Sequence, residues 1–138
     1  MKKIVVIDGQ GGRIGCMMIS ALKAQLSEQE IIAIGTNTMA TAAMLKAGAD
    51  QGATGENPVV VNCADADIIA GPVGIVAANS LLGEITPQMA LAVGASRAEK
   101  VLIPIGKCRL FLSGTREMPL GDYIAEAVRE ILRIVKDC

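Results

Sequence analysis

Residues 3–15, KIVVIDGQGGRIG, constrain the fold more than any other stretch of this chain. Within residues 3–8, Ile4, Val5, Val6 and Ile7 are β-branched and apolar at successive positions. An extended strand of that composition buries both faces, as in the centre of a parallel sheet. The run stops at Asp8 and passes into Gly9, Gly11, Gly12 and Gly15. From Ile14 the spacing changes, and Met18, Leu22 and Leu26 fall on one face of a helix. A buried strand, a glycine turn and a helix in immediate succession open a β-α-β unit, which predicts an α/β architecture.

The rest of the chain continues the alternation. Residues 30–35 (EIIAIG) read as a second buried strand. Thr36, Asn37 and Thr38 offer caps for a helix reaching about Ala47, with Gly48 beyond its end. Residues 51–54 form a short third strand. Asn57-Pro58 fits a cap followed by proline in the first turn, giving a helix over 58–64. The β-branched Val59, Val60 and Val61 would equally suit a strand. The helix is preferred because a clear strand, residues 67–71 (DIIAG), follows at once. Residues 74–83 form a helix or turn, and Thr86 caps a helix over 87–97. Residues 100–105 (KVLIPI) make a fifth strand and residues 109–113 (RLFLS) a sixth. In residues 122–136, Ile124, Val128, Ile131 and Val135 form one apolar stripe. The expected fold is a Rossmann-like, three-layer α/β domain with a mostly parallel sheet, residues 1–138 forming a single domain.

Composition removes several function classes. Net charge is −1 with no basic block, and Phe111 and Tyr123 are the only aromatic residues. A nucleic-acid partner is not expected, since both the electrostatic footprint and the stacking platforms are missing. No histidine is present, which excludes imidazole-dependent hydrolysis and histidine-ligated metal sites. Cys16, Cys63, Cys108 and Cys138 are scattered, with neither zinc nor disulfide spacing. The apolar runs are too short for a membrane span, and the first one breaks at Asp8 and glycines, unlike a signal peptide. A cytoplasmic protein is expected, with no metal.

In a parallel sheet with helices on both faces, ligands sit beyond the carboxyl ends of the strands. The expected site is therefore Gly9, Gln10, Gly11, Gly12, Arg13, Ile14 and Gly15, then Thr36, Asn37 and Thr38, then Gly71, Pro72, Val73, Gly74 and Asn79, with residues 106–108 after the fifth strand. A strict G-x-G-x-x-G does not fit, but Gly9, Gly12 and Gly15 fit G-x-x-G-x-x-G. Glycine allows the backbone to approach a pyrophosphate, and amides opening the helix face the anion. The reading depends on those amides being free. Arg13 either adds charge to the site or points to solvent. The second strand ends without the acid that holds an NAD ribose. Thr36, Asn37 and Thr38 would instead hold a 2′-phosphate, or merely cap the helix. Residues 52–57 either close over a ligand or form a turn. Residues 75–84 either contact a ligand or pack on a second subunit through Ile75, Val76, Leu81 and Leu82.

The turn Gly9-Gln10-Gly11-Gly12-Arg13-Ile14-Gly15 resembles that of dihydrodipicolinate reductases, which reads Gly-x-x-Gly-Arg-Met-Gly. The resemblance implies a pyridine-nucleotide turn and covers the first strand, turn and helix only. The catalytic histidines of those enzymes have no counterpart here. Over nearly the whole chain the sequence resembles the bacterial family designated domain of unknown function 3842. The likeness lies in Ile7-Asp8-Gly9-Gln10-Gly11-Gly12, in residues 42–49 (AAMLKAGA), in residues 52–57 (GATGEN) and in residues 78–87 (ANSLLGEITP). That resemblance implies membership and no particular activity.

The expected function is binding of a nucleotide or dinucleotide at the glycine turn, with NADP favoured over NAD, or of a phosphorylated metabolite. No catalytic residue is assigned. An acid or base would have to be Asp8, Glu84, Lys107 or Cys108. Asp8 would hold either ribose hydroxyls or a backbone turn. Cys108 is either a nucleophile or a small buried hydrophobe. The alternative function is a non-catalytic metabolite sensor or accessory subunit acting through a partner, and a homodimer is expected.

Overall fold

The alternation of side chains along the first strand divides the core in two. A computed structural model describes residues 1–105 and 109–137. In β1 (Ile4–Asp8), Ile4 and Val6 face one layer of helices, while Val5 and Ile7 face the other. All four are fully or almost fully buried, as a central strand with helices on both faces requires. β2 (Ile31–Gly35) and β4 (Ile68–Pro72) flank it, with β3 (Gln51–Thr54) and β5 (Glu99–Ile103) at the edges. The order is β3-β2-β1-β4-β5 and every pairing is parallel. The mostly parallel sheet expected from sequence is thus wholly parallel among the described residues.

On one face, α1 (Arg13–Gln25), α2 (Thr38–Lys46) and α5 (Leu120–Lys136) pack through Met18, Ile19, Leu22, Met44, Ile124, Val128 and Ile131. On the other face, α3 (Glu56–Cys63) and α4 (Pro87–Ala95) contribute Val59, Cys63, Met89 and Val93. The fold is therefore three-layered and Rossmann-like. No helix among the described residues is long and apolar enough to cross a membrane.

Three sequence expectations change. α3 starts at Glu56 with Gly55 as its cap residue, two positions before Pro58. Proline is tolerated there because the amides of a first helical turn have no intrahelical acceptor. α4 stops at Ala95 rather than Arg97, since Ser96 turns extended and ties its hydroxyl to the Cys63 carbonyl at 2.7 Å. Residues 109–113 form no strand: Arg109 takes a left-handed φ of 56°, and a turn closes from the Thr115 amide to the Leu112 carbonyl. An apolar run of strand length, without β-branching, did not suffice to extend the sheet past β5.

Candidate functional site: a crevice where β1 and β4 part

β1 and β4 pair only from Ile4↔Ile68 to Val6↔Ala70. On either side, β1 stays with β2 as far as Asp8↔Gly35 and β4 stays with β5 as far as Pro72↔Ile103. The sheet therefore splits at its carboxyl edge between the two strands where chain order reverses, which is the switch point of a doubly wound fold. Gly71 sits at the fork, and a Cβ there would strike the Ile7 carbonyl oxygen. A cavity of about 560 Å³ opens above it. One wall is Asp8, Gly9, Gln10, Gly11, Gly12, Arg13 and Ile14; the other is Pro72, Gly74, Leu81, Leu82 and Ile105.

The glycine turn is held from within. Gly12 takes a left-handed φ of 75° as it enters α1, and an added Cβ would lie 3.1 Å from the Ala40 carbonyl oxygen of α2. Glycine is thus required there for conformation as well as space. The Asp8 carboxylate accepts from the Gly9 amide at 2.7 Å and the Gly15 amide at 2.7 Å. It caps the first turn of α1 with its own charge, as a helix N-terminus favours. Burial pushes the Asp8 carboxyl upward, more than the amides of Gly15, Gly9 and Ile14 pull it down, and nearby Glu84 adds to the rise. Gly15 lies under the turn, close to Met44 and to Asp8 itself.

A second carboxylate closes the β2 side. Oε1 of Glu84 accepts from the Gln10 amide at 2.8 Å, the Thr36 hydroxyl at 2.5 Å and the Asn37 side-chain amide at 2.9 Å. Burial alone would raise its affinity for a proton, but the bonds from Thr36, Gln10 and Asn37 together hold it below the ordinary glutamate range. Asn37 also caps α2, its Oδ1 accepting from the Ala40 amide at 2.8 Å. The free amides expected at the head of α1 reduce to two. Gly15 is committed to Asp8, and the Ile14 amide lies near enough to the same carboxylate to favour its charge. Gly12 donates to Gly9 and Gln10 to Glu84. The N–H groups of Gly11 and Arg13 have no acceptor among the described residues.

The remaining expected positions fall as follows. Thr36 and Asn37 lie behind Glu84, outside the cavity, and Thr38 opens α2 on the surface. Gly71 and Val73 are buried beneath the crevice and Asn79 is exposed beside it. Residues 52–57 supply β3 and the start of α3. Ile75 is wholly buried in the core and Leu81 partly so, which leaves Leu82 as the large exposed side chain of that segment. Lys107 and Cys108 lie outside the described residues. Burial pushes the Cys63 thiol up to about 11, against the pull of Lys3 and Lys100, and raises Cys16 as well. Neither thiol is poised as a nucleophile. Among the described residues, no group of histidine, cysteine, aspartate and glutamate could hold a metal.

Ile105 lines the crevice without any sequence signal that marked it, while Leu81 and Leu82 belong to the segment read as either a ligand contact or a subunit interface. Glu84 had one, since it is an isolated acid in an apolar stretch, but nothing nearby in sequence shows that it reaches Gln10, 74 residues away.

A family model, Domain of unknown function (DUF3842), matches residues 3–136. This chain belongs to that family. No curated protein matches it. Among solved structures it is similar to a dodecameric FMN-dependent UbiX-like decarboxylase from Escherichia coli O157:H7, at 21% identity and a TM-score of 0.47. That match covers 97% of this chain and 76% of the other. The fold of the family member described here rests on its own strand order.

Proposed function

We propose that this chain binds a nucleotide in the crevice between β1 and β4. The parting of those strands above Gly71, with a 560 Å³ cavity between a glycine turn and an apolar wall, is the observation that carries the reading. Cavities of this size and mixed lining suit small ligands that lay a flat ring on hydrocarbon and fix a polar end by a few donors. In this reading the phosphate takes the free amides of Gly11 and Arg13 and the Arg13 side chain at the cavity wall. The ring lies against Pro72, Leu81 and Ile105.

The cavity lies on the β4 side of the turn, so the reading favours a mononucleotide such as FMN or AMP over a dinucleotide. NADP, expected from Thr36, Asn37 and Thr38, needs Glu84 to leave Thr36 and Asn37 first. Chemistry on the bound ligand is not assigned to any side chain.

Thermal melting with FMN, AMP, ATP and NADP tests the reading. A ligand at one hundred times its Kd stabilises the folded state by about 2.7 kcal/mol, a shift of several degrees. Gly11→Leu is the matching variant. A Cβ at Gly11 meets nothing within 4 Å, so the fold tolerates it, and Gly11 lines the cavity that the ligand would fill. Stability should stay within about 0.5 kcal/mol of wild type, with affinity down at least about tenfold, or 1.4 kcal/mol. No response to any of the four at millimolar concentration, or unchanged affinity in Gly11→Leu, overturns the proposal.

A further inference from the structure

Three neutral donors from three segments converge on one oxygen atom of Glu84: a backbone amide from the glycine turn, a hydroxyl from the end of β2 and a side-chain amide from the cap of α2. The geometry is that of a small oxyanion hole, and no cation among the described residues takes part in it. Gly9 makes room for it, since a Cβ there would lie 2.6 Å from the Thr36 hydroxyl and 2.9 Å from the Glu84 oxygen. The side chain that fills the hole arrives on a strained loop. Leu81 and Leu82 take consecutive left-handed φ angles of 55° and 56°, Asn79 takes 67°, and across the crevice Gln10 takes 49°. Such angles are uncommon for leucine and persist where the surroundings hold them in place. Glu84 is one of the contacts that hold this loop against the turn.

We propose that Gln10, Thr36 and Asn37 form a seat for a single anionic oxygen of a phosphate or carboxylate, and that Glu84 is a removable internal occupant of that seat. The inference deepens the nucleotide reading by giving a ligand's second anionic group a place on the β2 side, and it rests on that reading only for the identity of the natural ligand. An incoming anion competes with a tethered carboxylate. Displacing Glu84 lets Asn79, Leu81 and Leu82 leave their left-handed angles and opens the crevice toward Thr36.

The test removes the occupant. Glu84→Ala deletes the equivalent of an acetate ion, so the probes are sodium acetate and inorganic phosphate, each compared with sodium chloride at equal ionic strength. In Glu84→Ala, melting temperature should rise with acetate and with phosphate in a saturable manner, beyond the chloride control, as binding to the folded state demands. Wild type, with its seat filled, should show at most a tenth of that affinity. Adding Thr36→Val to Glu84→Ala should remove most of the response. If Glu84→Ala does not fold, Glu84→Gln keeps the size and an acceptor oxygen without the charge, and phosphate should bind it more tightly than it binds wild type. Equal responses in wild type and the variant, no response beyond chloride in the variant that folds, or a response that survives Thr36→Val overturns the seat. Phosphate binding to Glu84→Ala without nucleotide binding to wild type would leave the seat standing and remove the nucleotide reading. Nucleotide affinity unchanged in Glu84→Ala and Thr36→Val, with no phosphate response, would do the reverse.

Discussion

A carboxylate that accepts from the amides of Gly9 and Gly15 leaves no place for an amide nitrogen at either contact. Asp8→Asn would keep one oxygen acceptor and turn its NH₂ against the other backbone donor. A buried donor left without a partner costs about 1–3 kcal/mol. Asp8→Asn should therefore be less stable than wild type by about that amount at pH 7, read as a lower urea midpoint with an unchanged slope. An unchanged midpoint would mean that the left-handed conformation of Gly12 and the packing of α2 hold the turn without Asp8. The same residue shows how far single positions could be read from sequence. Its place at the end of a buried strand was legible, and a backbone turn was one of two roles that its chemistry allowed. Glu84 was less legible, since its partners lie in the turn after β1 and in the segment between β2 and α2, and no local pattern joins them to it.

At the scale of elements, strands with β-branched runs and helices with clear caps were legible. Asn37 and Thr86 cap α2 and α4 as their chemistry predicts, Thr86 accepting from the Met89 amide at 3.1 Å. What escaped was irregular backbone. Residues 77–84 hold together through the Asn79 amide to the Ile85 carbonyl at 2.7 Å, the Ser80 hydroxyl to the Gly74 carbonyl, and the Gly83 amide to the Ser80 carbonyl at 3.1 Å. Leucine has no preference for the resulting left-handed angles, so sequence offered no sign of them. Each left-handed leucine costs about 1–2 kcal/mol. Leu82 is 96% exposed, so replacing it removes little packing. Leu82→Gly should relieve that strain, less the roughly 0.5–1 kcal/mol that glycine adds to unfolded-state entropy. A net gain of about 0.5–1 kcal/mol is expected from thermal melting. A loss of stability, together with a smaller mass by light scattering, would show instead that a second copy covers Leu82.

For the whole molecule, absence of histidine leaves carboxylates to govern stability below neutral pH. They pull in opposite directions. Glu84 joins the loop before α4 to the turn and to β2, and Asp50 joins β2 to α1 through the Ile31 amide at 2.8 Å and Lys23 at 2.7 Å. The bond from Lys23, then the Ile31 amide, holds the Asp50 carboxyl below its ordinary value of 3.8. A carboxyl held low in the folded state stabilises above its unfolded value and loses that contribution as pH falls through the folded one. For Glu84 the loss begins near its ordinary 4.5, and for Asp50 near 3.8. Asp8 is held above its ordinary 3.8, so the folded protein binds this proton more tightly than the unfolded chain. Its contribution is complete below 3.8 and is lost as pH rises through the raised value. As pH falls through that raised value toward 3.8 Asp8 gains, while Glu84 loses below 4.5 and Asp50 below 3.8. Urea midpoints measured from pH 3 to 8 should therefore rise toward acid as Asp8 takes up its proton and fall once Glu84 and Asp50 lose their charges to protonation. In Asp8→Asn the rise toward acid should vanish, so the gap between variant and wild type should widen as pH falls through the raised value of Asp8 toward 3.8. A gap constant with pH would mean that burial does not raise Asp8, and that the carboxylate capping α1 is as well solvated as one on the surface.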